Sequence, residues 1–211
     1  MKILLAGGTG LVGAAFLDGA IARGWEVSAI GRRATGIATR DIISDFVEIP
    51  KLPEVDVTVS ALGTTIAAAG SRRAFRAVDY DAVVNLATAA SATRPTRFIL
   101  VSAVGANPRA AAFYSRVKGE VERDLAQLPL QRLDILQPGL LLGERTERRP
   151  VESMLQAIAP AAAQVLRGPL SKYAGISADT VAKAMLALVR ETEGGVFRYE
   201  NRALEELAQQ V

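Results

Sequence analysis

Apolar residues in this chain gather into two kinds of block that alternate along its length. Lys2–Ala6 is a short run of strand formers. The apolar positions of residues 11–23 then recur at helical spacing as far as Gly24, a C-cap. Residues 26–30 alternate in the manner of a strand. Residues 34–53 carry little pattern, and 46–49 is predicted as a short third strand ahead of Pro50 and Pro53. Residues 56–61 make a clearer strand. Ser71 is placed to cap a helix running to about residue 92, with Phe75, Val78, Ala82 and Leu86 on its inner face. Residues 97–102 are nearly continuous in apolar side chains after Arg97, as a strand buried on both faces should be. A helix is expected over 111–127 and a strand over 130–137, closed by Pro138-Gly139. A helix over 154–166 is broken by Pro160, and another over 177–190 is capped by Ser177. Residues 196–199 are predicted as a last strand and 203–210 as a last short helix. Strands alternating with helices predict an α/β chain: a doubly wound, mostly parallel sheet with helices on both faces. No repeat, linker or boundary interrupts the pattern. Residues 1–211 are read as one domain, with 143–175 as a small substrate-side segment in the C-terminal part.

The first strand runs straight into Gly7-Gly8-Thr9-Gly10-Leu11-Val12-Gly13. Strand, glycine turn and helix is the geometry of a Rossmann dinucleotide site. Gly7 permits the turn, Gly10 lets phosphates approach the backbone, and Gly13 lets the helix pack closely. The spacing is G-x-x-G-x-x-G rather than G-x-G-x-x-G, so the position between strand and helix carries the reading. The helix start offers unpaired N–H groups and a partial positive charge to a pyrophosphate. Gly7, Thr9, Gly10, Leu11, Val12 and Gly13 are therefore expected to hold the cofactor. Ala61, Leu62 and Gly63 join them, where the 56–61 strand ends beside it. About twenty residues past the turn, an NAD site places an acid for the ribose 2′-hydroxyl. This chain has Arg32 and Arg33 there. A guanidinium fork suits a phosphate dianion, so NADP(H) is expected in preference to NAD(H).

Composition narrows the chemistry. The 211 residues contain no cysteine and no histidine. That excludes disulfides, a cysteine nucleophile, a histidine base and the common zinc sites, and no metal site is expected. Acid–base work falls to Tyr, Lys, Asp or Glu. A net charge of +3, with no aromatic-interleaved basic patch, argues against nucleic acid as a partner. The first apolar run is too short for the core of a signal peptide. No apolar stretch reaches the roughly 18 residues of a membrane span. A cytoplasmic protein with no membrane partner is expected.

Tyr114-Ser-Arg-Val-Lys118 sets a phenol and an ammonium four residues apart, on one helix face. A cation within about 4–6 Å favours the phenolate form. Such a pair beside a nicotinamide is suited to hand a proton to a carbonyl oxygen, or to take it back.

Six segments now stand in order: Gly7-Gly-Thr-Gly-Leu-Val-Gly13, Ser60-Ala-Leu-Gly-Thr-Thr65, Val78-Asp-Tyr-Asp81, Val101-Ser-Ala-Val-Gly-Ala106, Tyr114-Ser-Arg-Val-Lys-Gly-Glu120 and Gln137-Pro-Gly-Leu-Leu-Leu-Gly-Glu-Arg145. Together they resemble the short-chain dehydrogenase/reductases, in particular the small atypical subgroup that includes the Tat-interacting-protein oxidoreductases. The resemblance implies a Rossmann fold that binds NADP(H), with Tyr114 as catalytic acid/base and Lys118 on the nicotinamide ribose. It also implies Pro138 and Gly139 against the nicotinamide, with backbone groups near its amide. Relatives usually carry Ser-Ser where this chain has Ser102-Ala103, and their second serine donates to the substrate oxygen. Ser102 is the candidate to replace it. Gln137 stands where an arginine often precedes Pro-Gly.

The substrate side is expected after Gly143. Arg145, Arg148 and Arg149 are placed to attract an anion, although a solvated basic loop accounts for them as well. Met154 and Tyr173 are candidates to line a pocket or to pack a core. The short stretch beyond the Pro-Gly turn disfavours bulky substrates such as nucleotide sugars. Two functions compete. One is an NADP(H)-dependent oxidoreductase acting on a small carbonyl or its alcohol, as a monomer or homodimer. The other is an NADPH-bound regulatory or interaction module with little turnover, suggested by the Ser-Ala pair.

Overall fold

The computed structural model describes residues 1–92, 97–143 and 173–211. The described strands are β1 (Lys2–Ala6), β2 (Glu26–Gly31), β3 (Arg40–Ile43), β4 (Val57–Ser60), β5 (Arg97–Val101), β6 (Arg132–Gln137), β7 (Leu140–Leu142), β8 (Gly175–Ser177) and β9 (Gly195–Glu200). Seven of them form one sheet in the order β3-β2-β1-β4-β5-β6-β9, with every neighbouring pair parallel. β7 and β8 form a separate parallel pair. The main sheet changes direction of winding between β1 and β4, the kind of switch point where open α/β sheets bind ligands. Ala6 is level with Ser60 in that register, so both strands end under one crest of loops.

The described helices are α1 (Leu11–Ala22), α2 (Ile66–Ala69), α3 (Arg72–Arg76), α4 (Ala82–Ser91), α5 (Phe113–Leu125), α6 (Ala178–Leu188) and α7 (Asn201–Ala208). A π-helical turn, Ala77–Asp81, joins α3 to α4. Strand side chains alternate between two cores. Ile3, Leu5, Val57, Val59, Ile99 and Val101 pack against α1 and α6. Leu4, Ala6, Phe98, Leu100, Leu133 and Ile135 pack against α4 and α5. This is the doubly wound α/β architecture that the alternation of elements predicts, and the described pairings are wholly parallel. Among the described residues, no helix is long and apolar enough to cross a membrane.

Two predicted elements differ. The third strand is β3 at Arg40–Ile43, not 46–49. Ser44 Oγ accepts from the Phe46 amide at 3.0 Å, and Asp45 Oδ1 accepts from the Val47 amide at 3.0 Å. These consecutive local turns compete with a ladder. They set Phe46 at φ 66° and drive its ring into the core instead of along an edge. The second difference is the helix over 71–92. Ser71 caps it as expected, with Oγ accepting from Ala74 N at 3.1 Å. The π-helical turn then adds a residue and shifts the phase. Asp79 becomes fully buried, while Val78 is only half-buried. The expected helix over 154–166 lies outside the described residues, as does most of the 143–175 segment.

Candidate active site

The glycine turn is packed backbone on backbone. Gly7 has φ +86°, and a Cβ on it would lie 2.6 Å from the carbonyl of Ala61. A Cβ on Gly13 would lie 2.1 Å from the Gly7 oxygen. No larger residue fits either place. Gly10 caps α1 with no side-chain hydrogen bond, and the first turn carries no acid. The amide groups that open α1 are thus left without a side-chain cap from Gly10 and keep their partial positive charge. Ala61 donates its amide to Ala6 at 2.9 Å, which brings Ala61, Leu62 and Gly63 beside the same turn.

Arg32 and Arg33 are exposed just beyond β2. Their loop is held by Asp41, which accepts from Thr35 N at 2.8 Å, Thr35 Oγ1 at 2.9 Å and Gly36 N at 3.0 Å. Burial pushes the Asp41 carboxyl up, but these donors outweigh it and hold the group below its ordinary value. A Cβ on Gly8 would meet the Thr35 methyl at 3.0 Å, so the arginine loop rests on the glycine turn.

The other wall is α5. Tyr114, Lys118 and Glu122 follow at intervals of four, hence along one face. Tyr114 is 38% exposed, and its ring packs on Phe75 with centroids 5.6 Å apart. Lys118 is buried, and its Nζ lies 2.7 Å from Oδ1 of Asp79. Asp79 Oδ2 accepts the Thr64 amide at 2.8 Å. Burial works to strip the Lys118 charge, yet Asp79, helped by Tyr114 and Glu122, raises its pKa above the ordinary lysine value. Lys118 is therefore a fixed cation matched by a carboxylate. Sequence reasoning gave no role to Asp79 or Glu122. The segment Val78-Asp-Tyr-Asp81 carried the only signal for Asp79, and it was hidden by a phase that only the π-helical turn reveals.

Ser102 follows directly on the C-terminal end of β5, and its hydroxyl donates to buried Glu122 at 2.5 Å. Gln137 Nε2 donates to both oxygens of the same carboxylate, at 2.9 and 3.0 Å, and Arg198 Nε approaches at 3.4 Å. The Ser102 proton thus points into the protein. Gln137, in the place of the more usual arginine, is part of this carboxylate's shell. Pro138 lies at the end of β6 and accepts from the Val104 amide at 2.9 Å. Gly139 N donates to Asn201 Oδ1 at 2.8 Å, so this amide already has a protein partner.

The chain leaves and re-enters the described region at two points of this site. A Cβ on Gly143 would lie 2.9 Å from Leu11 in the glycine turn. The Tyr173 hydroxyl would lie 3.5 Å from a Cβ on Gly105, in the loop after β5. Arg145, Arg148, Arg149 and Met154 lie outside the described residues.

Comparison with known proteins places this geometry. The HIM1 family model matches residues 31–167. Protein fmp52 of Aspergillus fumigatus is 36% identical over 201 residues, covering 87% of this chain and 84% of that protein. Protein FMP52 of Saccharomyces cerevisiae is 33% identical, covering 92% of this chain and 90% of that one. Among solved structures, the human epimerase family protein SDR39U1, crystallised with NADPH, is similar with a TM-score of 0.68. It is 22% identical, over 95% of this chain and 74% of that one. The oxidoreductase ylbE of Lactococcus lactis is similar with a TM-score of 0.69 and 21% identity, over 99% of this chain and 97% of that one. These structures bear out the resemblance to the atypical short-chain dehydrogenase/reductases at the level of fold. The fungal relatives are named mitochondrial proteins, which overturns the expected cytoplasmic location. That expectation rested on the want of a long apolar segment, whereas mitochondrial leaders are amphipathic and basic. On these matches the chain belongs to the HIM1 family, is a relative of the FMP52 proteins, and has the Rossmann fold of the short-chain dehydrogenase/reductases.

Proposed function

We propose that this protein is an NADP(H)-dependent oxidoreductase that reduces a small carbonyl compound or oxidises the matching alcohol. One observation carries the reading: an accessible phenol and a buried ammonium share a face of α5, at the sheet end where the glycine turn opens. The fit to a dinucleotide rests on the crowding at Gly7 and Gly13, which only glycines can meet, and on the uncapped amides of α1. Arg32 and Arg33 would take a 2′-phosphate, which favours NADP(H) over NAD(H). Lys118 would hold the nicotinamide ribose, with Pro138 and Gly139 closing the ring's side. When bound, the nicotinamide supplies or accepts a hydride.

Tyr114 then does the proton work. In reduction its phenol donates to the carbonyl oxygen, and in oxidation the phenolate takes the proton of the alcohol. Ser102 enters as a supporting group. While Glu122 holds its proton, Ser102 accepts a hydrogen bond from an alcohol better than it donates to a carbonyl.

The test is NADPH oxidation over a panel of small aldehydes and ketones, with Tyr114→Phe alongside. The variant is expected to lose about 10²–10⁴-fold in kcat with little change in NADPH affinity. Equal turnover by the two proteins rejects the assignment. The inward Ser102 proton favours a second reading, a cofactor-bound interaction module with little turnover. It predicts tight NADPH binding, no turnover on any carbonyl, and capture of a partner protein only when NADPH is present.

A further inference from the structure

Two stretches border Tyr114 in the folded chain: residues 61–76, from the end of β4 through α3, and residues 102–118, from the end of β5 into α5. Neither contains an aspartate or a glutamate, and together they carry six cations, Arg72, Arg73, Arg76, Arg109, Arg116 and Lys118. The whole chain holds 25 basic residues against 22 acidic ones, so this imbalance is local. Two of the six are neutralised from elsewhere, Arg76 by Glu120 and Lys118 by Asp79. Among the described residues, no carboxylate pairs with the other four.

Two of these four meet at one ring. The Arg72 guanidinium lies 5.2 Å from the centroid of Phe113, and that of Arg116 lies 5.9 Å from it. Phe113 packs on Phe75 with centroids 5.8 Å apart, and Phe75 packs on Tyr114 in turn. The two cations are therefore two ring contacts from the phenol. Arg116 folds back over the start of α5, where Nη1 donates to Ala110 O at 2.9 Å and Ala111 O at 3.1 Å. Its Nε and Nη2 donate to no described residue. Arg72 is exposed, and the Phe113 ring is what holds its guanidinium. A ring face attracts a cation, but it accepts few of the five N–H donors of a guanidinium, and like charges gathered on it repel. A carboxylate answers both: it cancels the charge and matches the planar fork of donors.

We propose that the carbonyl substrate carries a carboxylate, which Arg72 and Arg116 receive at the rim while the carbonyl lies at Tyr114. This rests on the oxidoreductase reading above and gives it a substrate class: oxo acids and the matching hydroxy acids, in preference to neutral carbonyls and alcohols.

NADPH oxidation by the whole chain tests it on matched pairs, each exchanging a methyl for a carboxylate: acetone against pyruvate, butanal against succinic semialdehyde, and pentanal against glutaric semialdehyde. The wild type is expected to favour the acid of at least one pair by about tenfold in kcat/KM, the worth of one charge-assisted hydrogen bond. Added salt should shrink that preference. Arg72→Gln should abolish most of it, and Arg72→Lys, which keeps the charge without the fork, should restore part. Arg116→Gln should act in the same direction. It also gives up the Ala110 and Ala111 bonds, so the exposed Arg72 is the deciding position, and thermal melting checks each variant. Arg190→Gln is the control. It removes the same charge at the opposite end of the sheet, where Arg97 ties Val189 and Glu191 to the start of β5, and should leave the preference intact. No preference for the acid in any pair, a preference that survives Arg72→Gln, or equal losses on both members of a pair overturns the proposal and leaves the oxidoreductase reading standing. Arg72→Gln that weakens NADPH binding in place of the preference overturns it too, by assigning the arginine to the cofactor. Wild-type protein that binds NADPH and reduces none of the compounds, neutral or acidic, defeats the oxidoreductase reading and this proposal with it.

Discussion

The two walls of the site are built on opposite principles. The glycine wall, from β1 through α1 to the arginine loop, is specified by the absence of side chains: Gly7 and Gly13 stand where any Cβ would collide with backbone. The α5 wall is specified by buried charge: Asp79 with Lys118, and Glu122 with Ser102, Gln137 and Arg198. The first is local, since its partners lie within a few residues or on the adjoining strand. The second joins groups far apart in the chain, such as Thr64 to Asp79 and Asp79 to Lys118. Steric specification at the glycines is rigid and indifferent to solution conditions, and only the arginine loop at the far end of that wall leans on a carboxylate, Asp41. Electrostatic specification depends on each group keeping its protonation state and its partner.

The sharpest way to break the comparison is Gly13→Ala. The added Cβ meets the Gly7 oxygen with no flexible atom to yield, so a loss of about 3 kcal/mol, the upper range for overpacking, is expected in chemical denaturation. NADPH binding should fail with it. A loss below about 1 kcal/mol would mean that the turn relaxes and that its shape is not dictated by contact.

On the charged wall, Ser102→Ala removes one hydrogen bond to a buried carboxylate. About 1.5–3 kcal/mol is expected, with kcat falling far less than in Tyr114→Phe. A drop in kcat as large as that of Tyr114→Phe, in a protein of near-normal stability, would instead make Ser102 a direct donor to substrate.

The smallest effects come from pH, and they separate the walls by direction. Asp41 has a lowered pKa in the folded state, so its contribution is present above the unfolded value of about 3.9 and is lost as pH falls through the folded one. Lys118 has a raised pKa, so its contribution is full below about 10.4 and is lost as pH rises through the folded value. Amide NMR shifts of Thr35 and Gly36 should therefore move on acidification, and that of Thr64 on alkalinisation. A Thr64 amide that stays unmoved while Lys118 loses its proton would show that the ammonium does not hold this wall together.

Legibility in the sequence followed the same division. Six strands of the main sheet, the glycine turn and the caps at Ser71 and Ser177 were readable because each depends on neighbours along the chain, whereas the short β7 and β8 were not. β3 was misplaced because side-chain turns at Ser44 and Asp45 outcompete the strand propensity of the next residues. Asp79 was missed because a regular helical phase puts Val78 inward, and no local cue announces a π-helical turn. Glu122 lies four residues beyond Lys118 and looks like an ordinary surface acid until β5 and β6 bring Ser102 and Gln137 against it. Ser102 could be named as a candidate from the sequence, but the direction of its hydroxyl is decided by that long-range carboxylate.

The β7–β8 pair has a consequence for where the chain is anchored. Leu140 to Leu142 align with Gly175 to Ser177, clasping the base of the intervening stretch independently of the main sheet. One flank of that base abuts Leu11 and the other abuts Gly105. Both described ends of the chain here are thus anchored, Gly143 beside the glycine turn and Tyr173 beside the loop after β5. Substitutions in the main sheet, the glycine turn or the α5 charges leave this second, separate pairing untouched.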